Sequence, residues 1–135
     1  MAPHPHQIRC ISLGDEPEAW SAIGFDVTAR MHLNGAASVR LGLTTVVLTG
    51  TGGGFNGWTV DGITEPIDAL ATLDTRHGES IESGEPHPNG ITAIDHVVVN
   101  TGDVDRTAAA LNGAGLQCRG SRSTTSYGSP MRQQF

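Results

Sequence analysis

Short apolar runs bounded by turn residues follow one another through the first half of the chain. The run Ile8–Leu13 predicts a strand, and the segment 16–24 has the acidic start and the apolar spacing of a short helix. Asp15 is the candidate N-cap of this helix, and Pro17 is typical of a first turn because no N–H is needed there. Gly24 is expected to end the helix, since glycine adopts the left-handed conformation without strain.

Three further strands are predicted in the first half. They lie at 25–33, in SVRLG at 38–42 and in TTVVLTG at 44–50. The pair Asn34-Gly35 favours a tight turn after the first of them. The first half is therefore expected to fold in the order strand, helix, strand, strand, strand.

The same order begins again at Asp95. The sequence predicts a strand at 96–101, a helix at 104–115, a strand at 116–122 and the start of another in MRQQF. A Gly-Asp pair precedes the helix in both halves, and a glycine ends the helix in both. We interpret this order as a degenerate internal duplication.

Turn-forming residues separate the two halves. The sequence RHGESIESGEPHPNG is polar and contains two prolines and an Asn-Gly pair, which is typical of a linker. The predicted division is a first module at 1–61, a Gly/Pro-rich linker at 62–90 and a second, incomplete module at 91–135.

The charge of the chain argues against nucleic acid and membrane surfaces as partners. Among its 135 residues 14 are acidic and eight are basic, which gives a net charge of −6, and lysine does not occur. Both kinds of partner require clustered positive charge. The N-terminal sequence lacks the pattern of a signal peptide, and no apolar run has the length of a membrane span, so the sequence predicts a cytoplasmic protein.

The two cysteines, Cys10 and Cys118, both lie in predicted strands and have no C-x-x-C spacing. We interpret them as small buried hydrophobic residues rather than as a disulfide or a zinc site.

The repeated order of elements resembles the vicinal oxygen chelate superfamily, the fold of glyoxalases, bleomycin-resistance proteins and extradiol dioxygenases. The resemblance rests on LGDEPEAWSAIGF and VRLGLTTVVLTG in the first half and on HPNGITAIDHVVV and GDVDRTAAALNGAGL in the second. It implies an α+β fold in which two βαβββ modules form a cupped mixed sheet, with the second module incomplete. This superfamily carries isomerases, lyases, dioxygenases and non-catalytic binding proteins on one scaffold.

The resemblance also implies a metal site. In the family's metalloenzymes a His or Gln on the first strand of each module and a Glu on the fourth strand hold a divalent ion, here Mn, Fe, Ni or Zn. His96 matches the first strand of the second module, and Gln7 is one residue from the matching position of the first. The fourth strand of the first module supplies no carboxylate, because no Asp or Glu occurs between Asp26 and Asp61.

His96 therefore has two interpretations. It is either a metal ligand or a polar residue that hydrogen-bonds a neighbour where a strand begins. Of the other histidines, His32 is predicted to be a hydrogen-bonded or exposed strand residue near a hairpin. Exposure is predicted for those in the N-terminal and linker segments, namely His4, His6, His77 and His87.

The cupped sheet implied by the resemblance offers a concave surface to a small organic molecule. Its predicted lining residues are Val46, Leu48, Phe55 and Trp58 from the first half and Val98 and Asn100 from the second. The alternative is that Phe55 and Trp58 only seal the core.

Two functions follow for this surface. The first is a glyoxalase-like metalloenzyme, a lyase, isomerase or dioxygenase, in which a divalent ion held by His96 polarises vicinal oxygens of the substrate. The second is a metal-free protein that binds or sequesters a small molecule, of the bleomycin-resistance type.

Unpaired strands in the second half also predict self-association. Exposed strand edges pair with further strands, and a two-fold symmetric dimer is the commonest closed assembly. We therefore expect a homodimer whose contact includes the chain from Leu116 onward.

The linker prediction can be checked by limited proteolysis. The first cuts are expected between Arg76 and Asn89, because Ile81 is the one large apolar residue in this stretch. Mass spectrometry of the earliest fragments locates the cuts. Initial cleavage within 44–50 or 95–99 would show that the modules are divided elsewhere.

Overall fold

The computed structural model describes residues 6–29, 36–73 and 86–135. The described residues form a mixed α/β fold that is mostly β, with two helices and seven strands. In chain order these elements are β1 (Ile8–Leu13), α1 (Pro17–Ala22), β2 (Thr28–Ala29), β3 (Ala37–Leu41), β4 (Thr44–Leu48), β5 (Phe55–Val60), α2 (Val104–Gly113), β6 (Ser121–Ser126) and β7 (Ser129–Gln134). No helix in these ranges combines the length and the apolar character that crossing a membrane requires.

The first five strands form one sheet in the order β2-β3-β4-β1-β5. β1 is parallel to β4, with Ile11 opposite Val46, and antiparallel to β5, with Ile11 opposite Trp58. The predicted order of strand, helix, strand, strand, strand matches β1 to β4 with α1, whereas β5, at Phe55–Val60, forms where the sequence predicted tight turns. Of the predicted strand at 25–33, β2 covers Thr28–Ala29, while 30–33 and the turn at Asn34-Gly35 lie outside the described residues.

Helix α1 is held against the sheet by an aromatic pair. Trp20 and Phe25 have ring centroids 4.9 Å apart and pack on the buried cluster that β3 and β4 form. This cluster consists of Val39, Leu41, Val46 and Leu48. Burying side chains of this size contributes about 1.5–3 kcal/mol each, so the cluster is a main source of stability for the first half.

The C-terminal end of α1 is as predicted, but its N-cap residue is not. Gly24 has a φ of +94° just after the helix, as expected of a glycine stop. The residue at the N-cap position is Glu16, whereas Asp15 was predicted. The Asp15 carboxylate instead accepts a hydrogen bond of 2.9 Å from Trp20 Nε1, so it positions the aromatic side chain of the helix.

A second cluster joins β5 to helix α2. Trp58, Val60, Ile63 and Ile67 are buried together, and Ala110, Leu111 and Ala114 of α2 pack against them. The segment after β5 follows its edge, because Trp58 N–H donates to the Ala71 carbonyl and Leu73 N–H donates to the Trp58 carbonyl. Residues 63–73, which the sequence analysis assigned to the linker, thus take part in the packing.

The second half differs from the predicted module. The helix is confirmed as α2, and the strand expected in MRQQF is part of β7, but no strand forms within 86–103 of the described chain. The predicted strand at 96–101 is therefore wrong in this structure. A strand requires a neighbour for its N–H and C=O groups, and 92–100 forms no backbone hydrogen bond with any described residue.

The strand predicted at 116–122 begins later, at Ser121, and continues to Ser126 as β6. It pairs with β7 in a separate two-stranded sheet. Tyr127 and Gly128, with φ of 49° and 79°, form the turn between them, a backbone geometry that matches the twist of a hairpin.

His87 is buried, with 6% of its surface exposed, so the prediction of an exposed linker residue is wrong. Its Nδ1 accepts a hydrogen bond of 2.9 Å from the backbone N–H of Asp26, and its Nε2 donates one of 2.6 Å to the Arg40 carbonyl. Because Nδ1 is an acceptor, the neutral tautomer carries its proton on Nε2. The ring also packs edge-on against Phe25 at 5.3 Å, and it thereby fastens residues 86–90 to the sheet. His4, His32 and His77 lie outside the described residues.

Replacement of His87 by alanine should destabilise the fold. His87→Ala leaves the Asp26 N–H and the Arg40 carbonyl without their partner and opens a cavity, so we expect a loss of about 2–3 kcal/mol in the free energy of unfolding. Denaturant unfolding measures this loss. His96→Ala is the matched control, because that side chain is 72% exposed and its removal should change the free energy by no more than about 0.5 kcal/mol. Equal effects of the two substitutions would contradict the role given to His87.

Candidate ligand-binding site

The residues predicted to bind a metal lie apart from any cluster of ligands. His96 is exposed on a segment without regular structure, and its Nδ1 donates to Asp95 Oδ2 at 2.7 Å. The Gln7 side chain donates to the carbonyl of its own neighbour, Ile8. Within the described ranges no three His, Cys, Asp or Glu side chains are grouped so that they could hold an ion. His96 thus has the geometry of its second interpretation, and metal binding stays a prediction.

The predicted lining residues are distributed over different parts of the structure. Val46 and Leu48 are buried in the cluster beneath α1, and Trp58 is buried in the cluster beneath α2. Phe55 is partly exposed and packs edge-on against Trp58 at 5.9 Å. Val98 and Asn100 are exposed on the segment before α2. Trp58 therefore fits the alternative interpretation of a core residue, and ligand contact by any of the six stays a prediction.

The opposite face of the five-stranded sheet carries small polar side chains. Directly opposed residues of neighbouring strands share a face, and successive residues of a strand alternate between faces. The register therefore places two rows of four side chains together, which we call the hydroxyl face: Ser38, Val47, Ser12 and Gly57 in one row, and Arg40, Thr45, Cys10 and Thr59 in the other.

The buried side chains of the hydroxyl face differ in whether their polar atoms have hydrogen-bond partners. Arg40 donates from its guanidinium to the Thr45 hydroxyl at 2.8 Å, and this hydrogen bond fixes the Thr45 oxygen as an acceptor. The Thr59 hydroxyl is buried, with 5% of the residue exposed, and it has no hydrogen-bond partner. Ser12 and Ser38 are also buried, with 7% and 4% of their surface exposed.

An unpartnered hydroxyl is a cost to the fold. A buried polar group without a partner destabilises a protein by about 1–3 kcal/mol, and such groups are uncommon. Thr59 lies beside Cys10 on β5, the last strand in the sheet order, and a polar molecule that reaches this face would supply the missing partner of its hydroxyl.

Glycine at position 57 keeps one end of the first row free of side chains. A Cβ built there would lie 2.8 Å from the Leu73 side chain, which is closer than side-chain carbons approach one another. Glycine at this place therefore allows 71–73 to pass close along β5, and a larger residue would displace the Leu73 side chain.

Cys10 lies between Thr45 and Thr59 in the second row and is fully buried, which confirms the prediction made for it. Burial raises the pKa of its thiol to about 11, so the group stays protonated at neutral pH. The thiolate is the nucleophilic and metal-binding form of cysteine, and Cys10 therefore contributes a weak donor rather than a nucleophile. Cys118 is exposed and free, so the prediction that it is buried is wrong.

A second polar cluster ties the loop after β5 to α2. Asp68 accepts hydrogen bonds from the Thr107 hydroxyl at 2.6 Å and from Arg106 Nε at 3.2 Å. These hydrogen bonds lower the pKa of the Asp68 carboxyl below its usual value, so their contribution to stability is present above that value and is lost as the pH falls through the lowered pKa. All partners belong to the chain itself, which makes this cluster a structural connection.

An open groove of about 510 Å³ lies between the start of α2 and the β6–β7 hairpin. Its charged residues are already paired: Asp103 accepts from the Arg106 N–H at the helix N-terminus, and Arg132 forms an ion pair of 2.7 Å with Asp105. The hydroxyl face is the stronger candidate, because it alone of the two contains a buried polar atom without a partner.

Sequence reasoning missed the hydroxyl face although its signal was present. In β1 the polar positions Cys10 and Ser12 alternate with Ile11 and Leu13, which is the period of a strand with two different faces. The register that joins these positions to Thr45 and Thr59 is set by strand pairing and cannot be obtained from one strand alone.

Comparison with known protein families, with curated proteins and with solved structures finds no match to this chain. The fold and the site define a mixed α/β protein with a polar, buried sheet face. Membership of the vicinal oxygen chelate superfamily stays a prediction that rests on the motifs.

The different surroundings of the two cysteines can be tested with a thiol reagent. In the native protein we expect one thiol per chain, that of Cys118, to react with Ellman's reagent near pH 8, and both thiols to react after unfolding. Cys118→Ser should leave no fast-reacting thiol in the native protein. Rapid labelling of Cys10 in that variant would show that the hydroxyl face is open to the reagent and that the thiol is not shielded as described.

Proposed function

We propose that this chain is a metal-free binding protein for a small organic molecule, and that the hydroxyl face is its binding surface. The observation that carries the proposal is the buried, unpartnered hydroxyl of Thr59 beside Ser12 and Cys10. The hydroxyl groups of this face can both donate and accept hydrogen bonds.

The chemistry of this face favours a guest that carries polar groups able to accept and donate hydrogen bonds. The Thr45 oxygen is occupied by the Arg40 guanidinium, so the Thr45 hydroxyl proton is directed to another acceptor. Thr59 lies in the same row, one strand beyond Cys10. The two hydroxyls are two strand spacings apart, about 10 Å, so each is suited to a separate polar group of the guest, and the preference for adjacent oxygens rests on the family resemblance.

The glyoxalase-like metalloenzyme is the alternative, and the donor set favours it less. A divalent transition metal requires several ligands from the protein. His96 is bonded to Asp95 at the surface and Gln7 is bonded to the chain beside it. Neither side chain belongs to a group of ligands among the described residues.

The proposal is tested by removing the Thr59 hydroxyl without changing the shape of the side chain. Calorimetric titration with catechol, acetoin and pyruvate measures affinity for molecules with two adjacent oxygens. Thr59→Val should weaken the binding of the best probe about tenfold, which corresponds to about one lost hydrogen bond. It should not lower the free energy of unfolding, because the hydroxyl has no partner within the protein.

Thr44→Val is the matched control. The Thr44 hydroxyl is equally buried but donates to the Ile8 carbonyl at 2.8 Å, and its side chain lies outside the hydroxyl face. This substitution should cost about 1 kcal/mol of stability and leave probe affinity unchanged. Absence of binding by the wild-type protein, or equal affinity of wild type and Thr59→Val, would count against the proposal.

Metal dependence separates the two functions. After dialysis against a chelator we expect less than stoichiometric Mn, Fe, Ni or Zn by elemental analysis and unchanged probe affinity. One tightly held ion per chain that is lost in His96→Ala would establish the metalloenzyme alternative instead.

A further inference from the structure

The segment 92–100, which we call the open segment, has no regular secondary structure. None of its backbone N–H or C=O groups is hydrogen-bonded to a described residue. Val97 and Val98 are 39% and 69% exposed, although valine is usually buried. The segment is held at both ends, because Ile94 packs on the cluster beneath α1 and α2 begins at Val104.

The composition of the open segment is that of a strand. Three consecutive valines at 97–99 follow Ile94, and β-branched residues of this kind favour the pleated conformation. Unpaired backbone with such side chains is a template for strand addition. The property that this segment lacks is a neighbouring edge, not strand propensity.

A suitable edge is present elsewhere in the same chain. β6 pairs with β7 through six consecutive residue pairs, and its other edge pairs with no described residue. β6 contains no proline and no bulge in its register, whereas β7 contains Pro130 and is tied to α2 by the Arg132–Asp105 ion pair. A hairpin of two strands is only marginally stable alone, and a third strand stabilises it.

We propose that residues 96–100 of one chain pair with β6 of a second copy, and that the second copy returns the same contact. Each chain carries the open segment and the outer edge of β6, neither of which pairs with a described residue. A two-fold symmetric exchange would supply hydrogen-bonding partners to the segment and to the edge in each copy. Within one chain α2 separates the open segment from β6 in the sequence. The packing of α2 on Trp58 and the Arg132–Asp105 ion pair hold the helix in a position in which the open segment and β6 do not pair. This inference does not depend on the proposed ligand.

Proline substitutions test the pairing. Successive N–H groups of a strand point to opposite sides, so either Val97 or Val98 directs its N–H toward β6. We expect at least one of Val97→Pro and Val98→Pro to weaken the dimer about tenfold or more, measured by sedimentation across micromolar concentrations. Val97→Thr and Val98→Thr retain the N–H and the β-branched shape and should dimerise as the wild type does.

Hydrogen exchange gives a readout that does not depend on how the proline variants fold. In the wild-type protein the amides of 96–100 and of Ser121–Ser126 should become protected together as the protein concentration rises. A monomer at all concentrations would overturn the proposal. So would a dimer in which these amides exchange at the same rate as in the monomer, or one that both proline variants leave intact.

Discussion

The pairing of β1 on both of its edges is the constraint on which the described structure depends. On one side β1 is parallel to β4, and on the other it is antiparallel to β5. Ile11 is consequently opposite Val46 and also opposite Trp58, so one strand connects the cluster that receives α1 with the cluster that receives α2. A parallel pair cannot be closed by a tight turn, and the chain between β1 and β4 accommodates α1 and two strands for this reason.

The same pairing gives the sheet two chemically different faces. The apolar face is covered by side chains of the helices and the loops, and its contribution to stability follows from the area that it removes from water. Among the described residues each face retains a buried polar atom without a partner, namely Trp58 Nε1 on the apolar face and Thr59 Oγ1 on the hydroxyl face, where Cys10 is a weak donor. A fold that retains such groups in its interior sacrifices some stability there, and groups of this kind are common where proteins bind other molecules.

The second half shows how far a strand depends on what lies beside it. The valines before α2 have as strong a tendency to form a strand as those of β4. However, β4 lies between β3 and β1, whereas the backbone of 92–100 is hydrogen-bonded to no described residue. β6 has the opposite composition, mostly serine and threonine, and it forms a strand because β7 returns beside it through the Tyr127-Gly128 turn. Propensity alone would have ranked these two segments in the reverse order.

The sequence by itself determined the elements whose signals are local. Ile8–Leu13, the helix that begins at Pro17 and ends before Gly24, the strands of TTVVLTG and MRQQF and the helix after Asp103 all follow from side-chain periodicity, capping and turn chemistry within a few residues. The position of Cys10 in a predicted apolar strand also correctly predicted its burial.

Tertiary structure decided what depends on residues distant in the chain. It placed His87 between Asp26 and Arg40, left His96 at the surface beside Asp95, and joined Cys10, Thr45 and Thr59 into one row. These outcomes are set by register and by the availability of a hydrogen-bonding neighbour, and a shift of one residue in register would exchange the two faces of a strand. A single sequence does not contain that information in any local window, because each backbone group can be satisfied by many partners and only the folded chain selects one.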